Sequence, residues 1–139
     1  MNYRHILVPV AVSPESHKLV AKAVSIVKPV NGEITLITSV PDPEMYNQLA
    51  GLMMENIRDV MQEDVREFLQ ELCQQAGYPI RDTLITYGEL GPEIVAASHG
   101  LKVDLVLCGN HNNGTLAKLL TSAKKVIESS QVDVLLVPL

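Results

Sequence analysis

The amino-acid sequence predicts a single α/β domain: a parallel sheet of five short strands with helices on both faces. Three observations carry that prediction. Short Val-, Ile- and Leu-rich runs recur five times, too brief for helices and apolar at consecutive positions, as in strands buried on both faces. Four segments with helical spacing separate them, and strands alternating with helices build parallel sheets. No composition shift, flexible linker or internal repeat divides the 139 residues, a length that suits one domain spanning 1–139.

The first strand is predicted over residues 5–12, a Val-rich run apolar on both faces. Ser13-Pro14-Glu15 reads as an N-cap, a proline at the first helical position and an acid in the first turn. Leu19, Val20, Ala23, Ile26 and Val27 then follow at helical spacing up to Pro29. Asn31-Gly32 marks a turn, Ile34 to Val40 a second strand, and Pro41-Asp42-Pro43 a break before the irregular segment 44–54. A long amphipathic helix carries Ile57, Met61, Val65, Phe68, Leu72 and Ala76 on one stripe and stops at Gly77-Tyr78-Pro79. Thr83 to Tyr87 is the third strand, and Gly91-Pro92-Glu93 opens a short helix ending near Gly100. Asp104 to Gly109 is the fourth strand, followed by a polar loop, a helix over about Leu116 to Ser130 and a fifth strand from Val132 to Val137. Pro9 conflicts with a central strand because it cannot donate to a ladder; a bulge or a spared N–H is expected there.

Composition narrows the function. Sixteen acidic against eleven basic residues leave a net charge of −5, which works against binding a phosphate backbone, so no nucleic-acid partner is expected. The run Ile6 to Val12 after Arg4-His5 imitates a signal peptide only crudely, since Ser13-Pro14-Glu15 follows with no small-residue cleavage site. No stretch approaches the ~20 apolar residues of a membrane span. Cys73 and Cys108 both fall in apolar surroundings, where free cysteine behaves as a small buried hydrophobe. A cytoplasmic protein with no membrane partner is therefore expected.

Chemistry in a parallel sheet belongs outside the carboxyl ends of the strands, where strand order reverses. The loops to read are Ala11-Val12-Ser13 and Gly109 to Thr115. The second, Gly109-Asn110-His111-Asn112-Asn113-Gly114, has the glycine spacing of a phosphate loop, but Thr115 and Leu116 stand where the Lys and the Ser or Thr should follow. Gly109, Asn110, His111, Asn112 and Gly114 remain the candidate ligand contacts. His111 has no local triad element beside it, so no catalytic residue is assigned. His5, His17 and His99 are scattered without metal-ligand spacing, which implies no metal site and places them at the surface or an edge. Met45, Met53, Met54 and Met61 read either as a helix start packing on the sheet or as an adaptable partner surface. The acids from Glu55 to Glu71 fit the solvated face of the long helix.

Along its full length the chain resembles the universal stress protein family. The residues that carry the likeness are Tyr3-Arg4-His5-Ile6-Leu7-Val8, Ser13-Pro14-Glu15-Ser16, Lys22-Ala23-Val24-Ser25 and Ala76-Gly77-Tyr78-Pro79. Tyr87-Gly88-Glu89-Leu90, Asp104-Leu105-Val106, Cys108-Gly109-Asn110-His111 and Val132-Asp133-Val134-Leu135-Leu136-Val137-Pro138 complete them. The segment Asp42 to Leu49 narrows the likeness to one enteric-bacterial type. The resemblance implies an adenine nucleotide alpha hydrolase-like sheet in order 3-2-1-4-5, with the switch point between the first and fourth strands. It also implies a cytoplasmic stress-response protein, not an enzyme, supporting resistance to starvation, oxidants or DNA damage.

One branch of that family binds ATP through an acidic residue at the end of the first strand and the pattern G-x2-G-x9-G-[ST] after the fourth. The matching positions here are Ala11, Gly109, Asn112, Ser122 and Ala123, so only Gly109 survives. Side chains at Asn112 and Ser122 obstruct the backbone approach that glycine permits. The chain resembles the other branch, typified by universal stress protein A, and no cofactor is expected. In the implied strand order the fifth strand is an edge, yet Val132, Val134, Leu135, Leu136 and Val137 make it apolar on both faces. Pairing with the same strand of a second copy would cover it. The expectation is a homodimeric binding or scaffold module with an unidentified protein partner. The rivals are a nucleotide-binding protein that holds ATP and a chaperone-like client binder using residues 44–54.

Overall fold

The computed structural model describes residues 3–40, 54–87, 90–110 and 132–139. In chain order these form β1 (His5–Pro9), α1 (Ser16–Val27), a 3₁₀ turn (Lys28–Val30), β2 (Glu33–Val40), α2 (Met54–Ala76), β3 (Asp82–Tyr87), α3 (Leu90–Gly100), β4 (Leu105–Asn110) and β5 (Asp133–Pro138). All pairings are parallel and the order is β3-β2-β1-β4-β5. The helix expected over 116–130 and the irregular residues 44–53 lie outside the described residues; Met54 is the first residue of α2.

Strand alternation sorts the core into two layers. Ile6, Val8 and Val10 join Ile34, Leu36, Leu105 and Leu107 beneath α1 and α2, against Leu19, Val20, Ala23, Val27, Val65, Leu69 and Leu72. Leu7, Ile37, Val106 and Cys108 point to the opposite face, against Ile94 of α3. Every residue of β1 is buried, which is why this run lacks the polar alternation of a half-exposed strand. His5 is therefore not at the surface: it is 5% exposed, and its Nε2 lies 2.8 Å from Thr35 Oγ1 on β2.

Three helix ends close on a left-handed residue. Asn31 takes φ 54°, Gly77 φ 65° and Lys102 φ 54°. At the first, Gly32 N–H donates to Val27 O and Asn31 N–H to Lys28 O, the paired bonds of a Schellman motif. In the Asn31-Gly32 turn it is thus asparagine that carries the positive φ. Glycine follows because a Cβ there would stand 2.8 Å from Arg4 O and 2.9 Å from Val27 Cβ.

Pro9 is accommodated by a spared N–H. Val10 N–H donates to Ile37 O of β2, so the nitrogen of residue 9 faces β4, where the β1–β4 pairing runs only through Ile6–Leu105 and Leu7–Val106. The ladder stops before it reaches the proline. β1 ends at Pro9 instead of residue 12, where its register with β2 ends, and Val12 stands 62% exposed beyond it. Asp104 likewise falls just outside β4: its Oδ2 accepts from Arg4 N–H at 2.9 Å and His5 N–H at 3.0 Å, a side chain standing in for a ladder carbonyl.

Candidate functional site

The crevice at the switch point is built by that early end of the ladder. Past Leu7 and Val106 the two central strands are no longer paired, and the β1–α1 connection leaves the sheet on one side of the gap while Gly109 and Asn110 end β4 on the other. This is where an open α/β sheet places a ligand.

Among the described residues, its walls are chemically unlike a phosphate site. Ala11 is half-buried and its carbonyl accepts from Ser16 Oγ at 2.6 Å; Val12 next to it is an exposed aliphatic side chain. The start of α1 has its amides engaged. Ser16, His17 and Lys18 N–H donate to the carbonyls of Ser13, Pro14 and Glu15 at 3.1, 3.3 and 3.0 Å. Glu15 N–H reaches Ser13 Oγ at 3.4 Å, and that hydroxyl donates to the Glu15 carboxylate at 2.8 Å. Ser13 therefore caps a tight turn leading into the helix, and α1 proper begins at Ser16 instead of at Pro14. A carboxylate sits where a helix start would otherwise attract an anion.

Gly109 is buried, and its Cα face is covered by aliphatic side chains: a Cβ built there would lie 2.5 Å from Leu139 Cδ1 and 3.3 Å from Leu19 Cδ1. Glycine at this position is thus required by packing inside the chain. The contact of Leu139 with Gly109 had no signal in the sequence, because only the register of β5 on β4 brings residue 139 to residue 109. Asn110 pairs with Pro138 as the last residue of β4. His111, Asn112 and Gly114 lie outside the described residues, as do Ser122 and Ala123.

The second candidate region is β5, which among the described residues pairs only with β4. Val134 and Val137 are half-buried on opposite faces, while Leu135 and Leu136 are 38% and 40% exposed. Val132 precedes the strand and packs toward the α3 layer. Tyr3 OH donates to Asp133 Oδ2 at 2.8 Å, anchoring the start of β5, and that bond chiefly raises the phenol's pKa.

Neither cysteine has the environment of a reactive thiol. Cys108 is fully buried in β4 and its pKa is pushed up to about 12 by desolvation; burial also raises that of Cys73. Cys73 borders an open cleft of about 870 Å³ between α2 and β3, with Arg66, Leu69, Thr83, Ile85 and Tyr87. The cleft lies away from the switch point, and its mixed lining of glutamines and aliphatic groups specifies no ligand chemistry. Among the described residues no three His, Cys, Asp or Glu side chains gather as a metal site, and no helix is long and apolar enough to cross a membrane.

Comparison with known proteins settles the lineage. The model of the universal stress protein family matches residues 2–138. The chain belongs to the universal stress protein family. It is 57% identical to universal stress protein C of Escherichia coli K12 over 139 residues, covering 100% of this chain and 98% of that protein. It is 40% identical to universal stress protein A of the same organism, covering 100% and 96%. Among solved structures, a universal stress protein in complex with cAMP superposes with a TM-score of 0.70 at 21% identity, over 99% of this chain and 98% of that one. The strand order and the closeness to universal stress proteins C and A agree with what the sequence motifs implied, and the family carries a role in the stress response.

Proposed function

We propose that this universal stress protein is a non-enzymatic, cytoplasmic binding module of the stress response, working as a homodimer joined through β5 and engaging a protein partner. The observation that carries the reading is the β5 edge. Leu135 and Leu136 are exposed on opposite faces of a strand that, among the described residues, pairs with β4 alone. Such an edge templates pairing with another chain, and antiparallel pairing with its own copy closes on itself and leaves no further edge on that side. Membership of the family supports a role in resistance to starvation, oxidants or DNA damage. The acidic net charge of −5 favours a protein partner over a nucleic acid. Sedimentation equilibrium is expected to give twice the 15.2 kDa chain mass at micromolar concentration. A protein that stays monomeric and soluble at high micromolar concentration would overturn the dimer.

The crevice supports binding without ATP. Ala11 and Val12 supply no acid, Glu15 places a carboxylate at the helix start, and Leu139 lies on Gly109. Equilibrium dialysis with labelled ATP and Mg²⁺ is expected to show no saturable binding below about 1 mM, where the binding free energy is only about −4 kcal/mol. A second reading, nucleotide binding, is favoured by the solved relative that holds cAMP on the same fold. Stoichiometric binding of either nucleotide in that dialysis would establish it. The chaperone-like alternative rests on residues 44–54, nearly all outside the described residues.

A further inference from the structure

α1 and α2 lie on one face of the sheet, packed on the same core layer, and their outer sides carry opposite charge. On α1 the exposed residues are Lys18, Ala21, Lys22 and Ser25, with Lys28 just past its end, and no acid lies between Ser16 and Lys28. On the described part of α2 they include Glu63, Asp64, Glu67 and Glu71. Arg66 stands on the flank, where it borders the cleft against Thr83 and Ile85 of β3. Among the described residues the ion pairs join Arg81 to Glu33 and Asp82, and none reaches these lysines or acids. The two helices end level with each other, because Tyr78 O–H, just past α2, donates to Gly32 O, just past α1. Counted back from Val27 and Ala76, Lys18 is level with Glu67 and Lys22 with Glu71.

We propose that this helical face is a second contact between copies of the chain, in which the lysines of α1 in one copy meet the acids of α2 in the other. The face is complementary to itself under one symmetry. A twofold axis running along the helices, between α1 and α2, lays α1 of each copy over α2 of the other at unchanged height, so unlike charges meet twice. A twofold across the helices would set lysines on lysines and acids on acids. Between the lysines, Ala21 and Ser25 form a low strip, and Ser25 Oγ already donates to Lys22 O at 2.6 Å, so covering it strands no donor. Surface ion pairs are individually weak and are screened by salt, which makes this a salt-sensitive association at high protein concentration. It is separate from the proposed β5 contact, since β5 lies at the opposite edge of the sheet from β3, beside which α2 runs. A chain joined in both ways assembles beyond a dimer, as a scaffold must.

Sedimentation velocity of the full chain at about 20 mM and about 500 mM NaCl tests it, because the screening length falls from about 20 Å to about 4 Å. At high micromolar protein the mass at low salt is expected to be at least twice that at high salt. If β5 joins a dimer, the step runs from dimer to tetramer or beyond; if that reading fails, it runs from monomer to dimer, so the two contacts are told apart. Lys18→Glu/Lys22→Glu and Glu67→Lys/Glu71→Lys are each expected to abolish the increase with the circular dichroism of wild type, because each sets like charges face to face. Mixed in equal amounts they are expected to recover it, since the reversed α1 of one then meets the reversed α2 of the other. Where a reversed variant does not fold, Lys18→Gln/Lys22→Gln or Glu67→Gln/Glu71→Gln takes its place, with the same loss expected. A wild-type mass that does not depend on salt overturns the proposal. So does a reversed variant that still associates, or a mixture of the two folded variants that does not.

Discussion

Cys108, the fourth residue of β4, has no exposed surface, and desolvation pushes its thiol pKa from an ordinary 9.0 up to about 12. The folded chain therefore holds this proton to higher pH than the unfolded chain does. Below pH 9 both states are protonated and the group adds no pH dependence. Between about 9 and 12 the unfolded state alone releases the proton, so stability falls as pH rises. Denaturant titrations at pH 8 and pH 10.5 are expected to show this alkaline loss in wild type and a shallower one in Cys108→Ala. The same burial predicts that Cys108 reacts with a thiol reagent only after unfolding, whereas half-buried Cys73 reacts slowly in the native protein. Cysteine in an apolar run was readable as a core residue from the sequence. Histidine at residue 5 was not, because its burial depends on Thr35, which reaches it only when β2 pairs with β1.

Helix ends show what element-level signals carry. Gly77 closes α2 in the left-handed region at no steric cost, and Asn31 tolerates it. At the end of α3 the same place is taken by Lys102. Val103 N–H donates to Ser98 O at 3.1 Å and Lys102 N–H to His99 O at 3.4 Å, which makes Lys102 the C′ residue of a Schellman motif with buried Val103 following it. A lysine at φ 54° bears a clash between Cβ and the next carbonyl. Lys102→Gly is expected to stabilise the chain by about 0.5–1 kcal/mol, the relief being partly offset by the freer unfolded glycine. Thermal unfolding checks it, with Tm about 3 °C higher; an unchanged or lower Tm would show the lysine to be unstrained. Gly100 marks the end of α3 in the sequence, but the left-handed residue is Lys102 two positions on, so the cap itself was hidden from sequence patterning.

On the scale of the whole molecule, two core layers cover β1 completely, while β5 pairs on one side alone among the described residues. The proposed dimer turns that asymmetry into a test. Leu136→Lys puts a charge on a residue that is 40% exposed within one chain. In a separate chain such a change at the surface alters stability by no more than about 0.5 kcal/mol. In a dimer buried there it leaves two like charges facing an apolar partner strand. The variant is expected to be folded, with the far-UV circular dichroism of wild type, and to sediment as a monomer. A Leu136→Lys protein that still forms the dimer would move the interface away from β5.

Most of the architecture was written in local pattern. Apolar runs too short for helices, Pro14 and Pro92 near helix starts and Gly77 after a helix end are consequences of backbone geometry within a few residues. The strand order came from family motifs, since periodicity says which residues form strands but not which strands pair. What only the tertiary structure decided lies where distant residues meet. Pro9 became harmless because the ladder to β4 ends before it, and Asp104 found the N–H groups of Arg4 and His5. Gly109 looked like the remnant of a phosphate loop and is, in the folded chain, the seat of Leu139. Glycine is legible as a place without a side chain. Whether a ligand or another residue fills that place depends on packing between segments far apart in sequence, which no local spacing encodes.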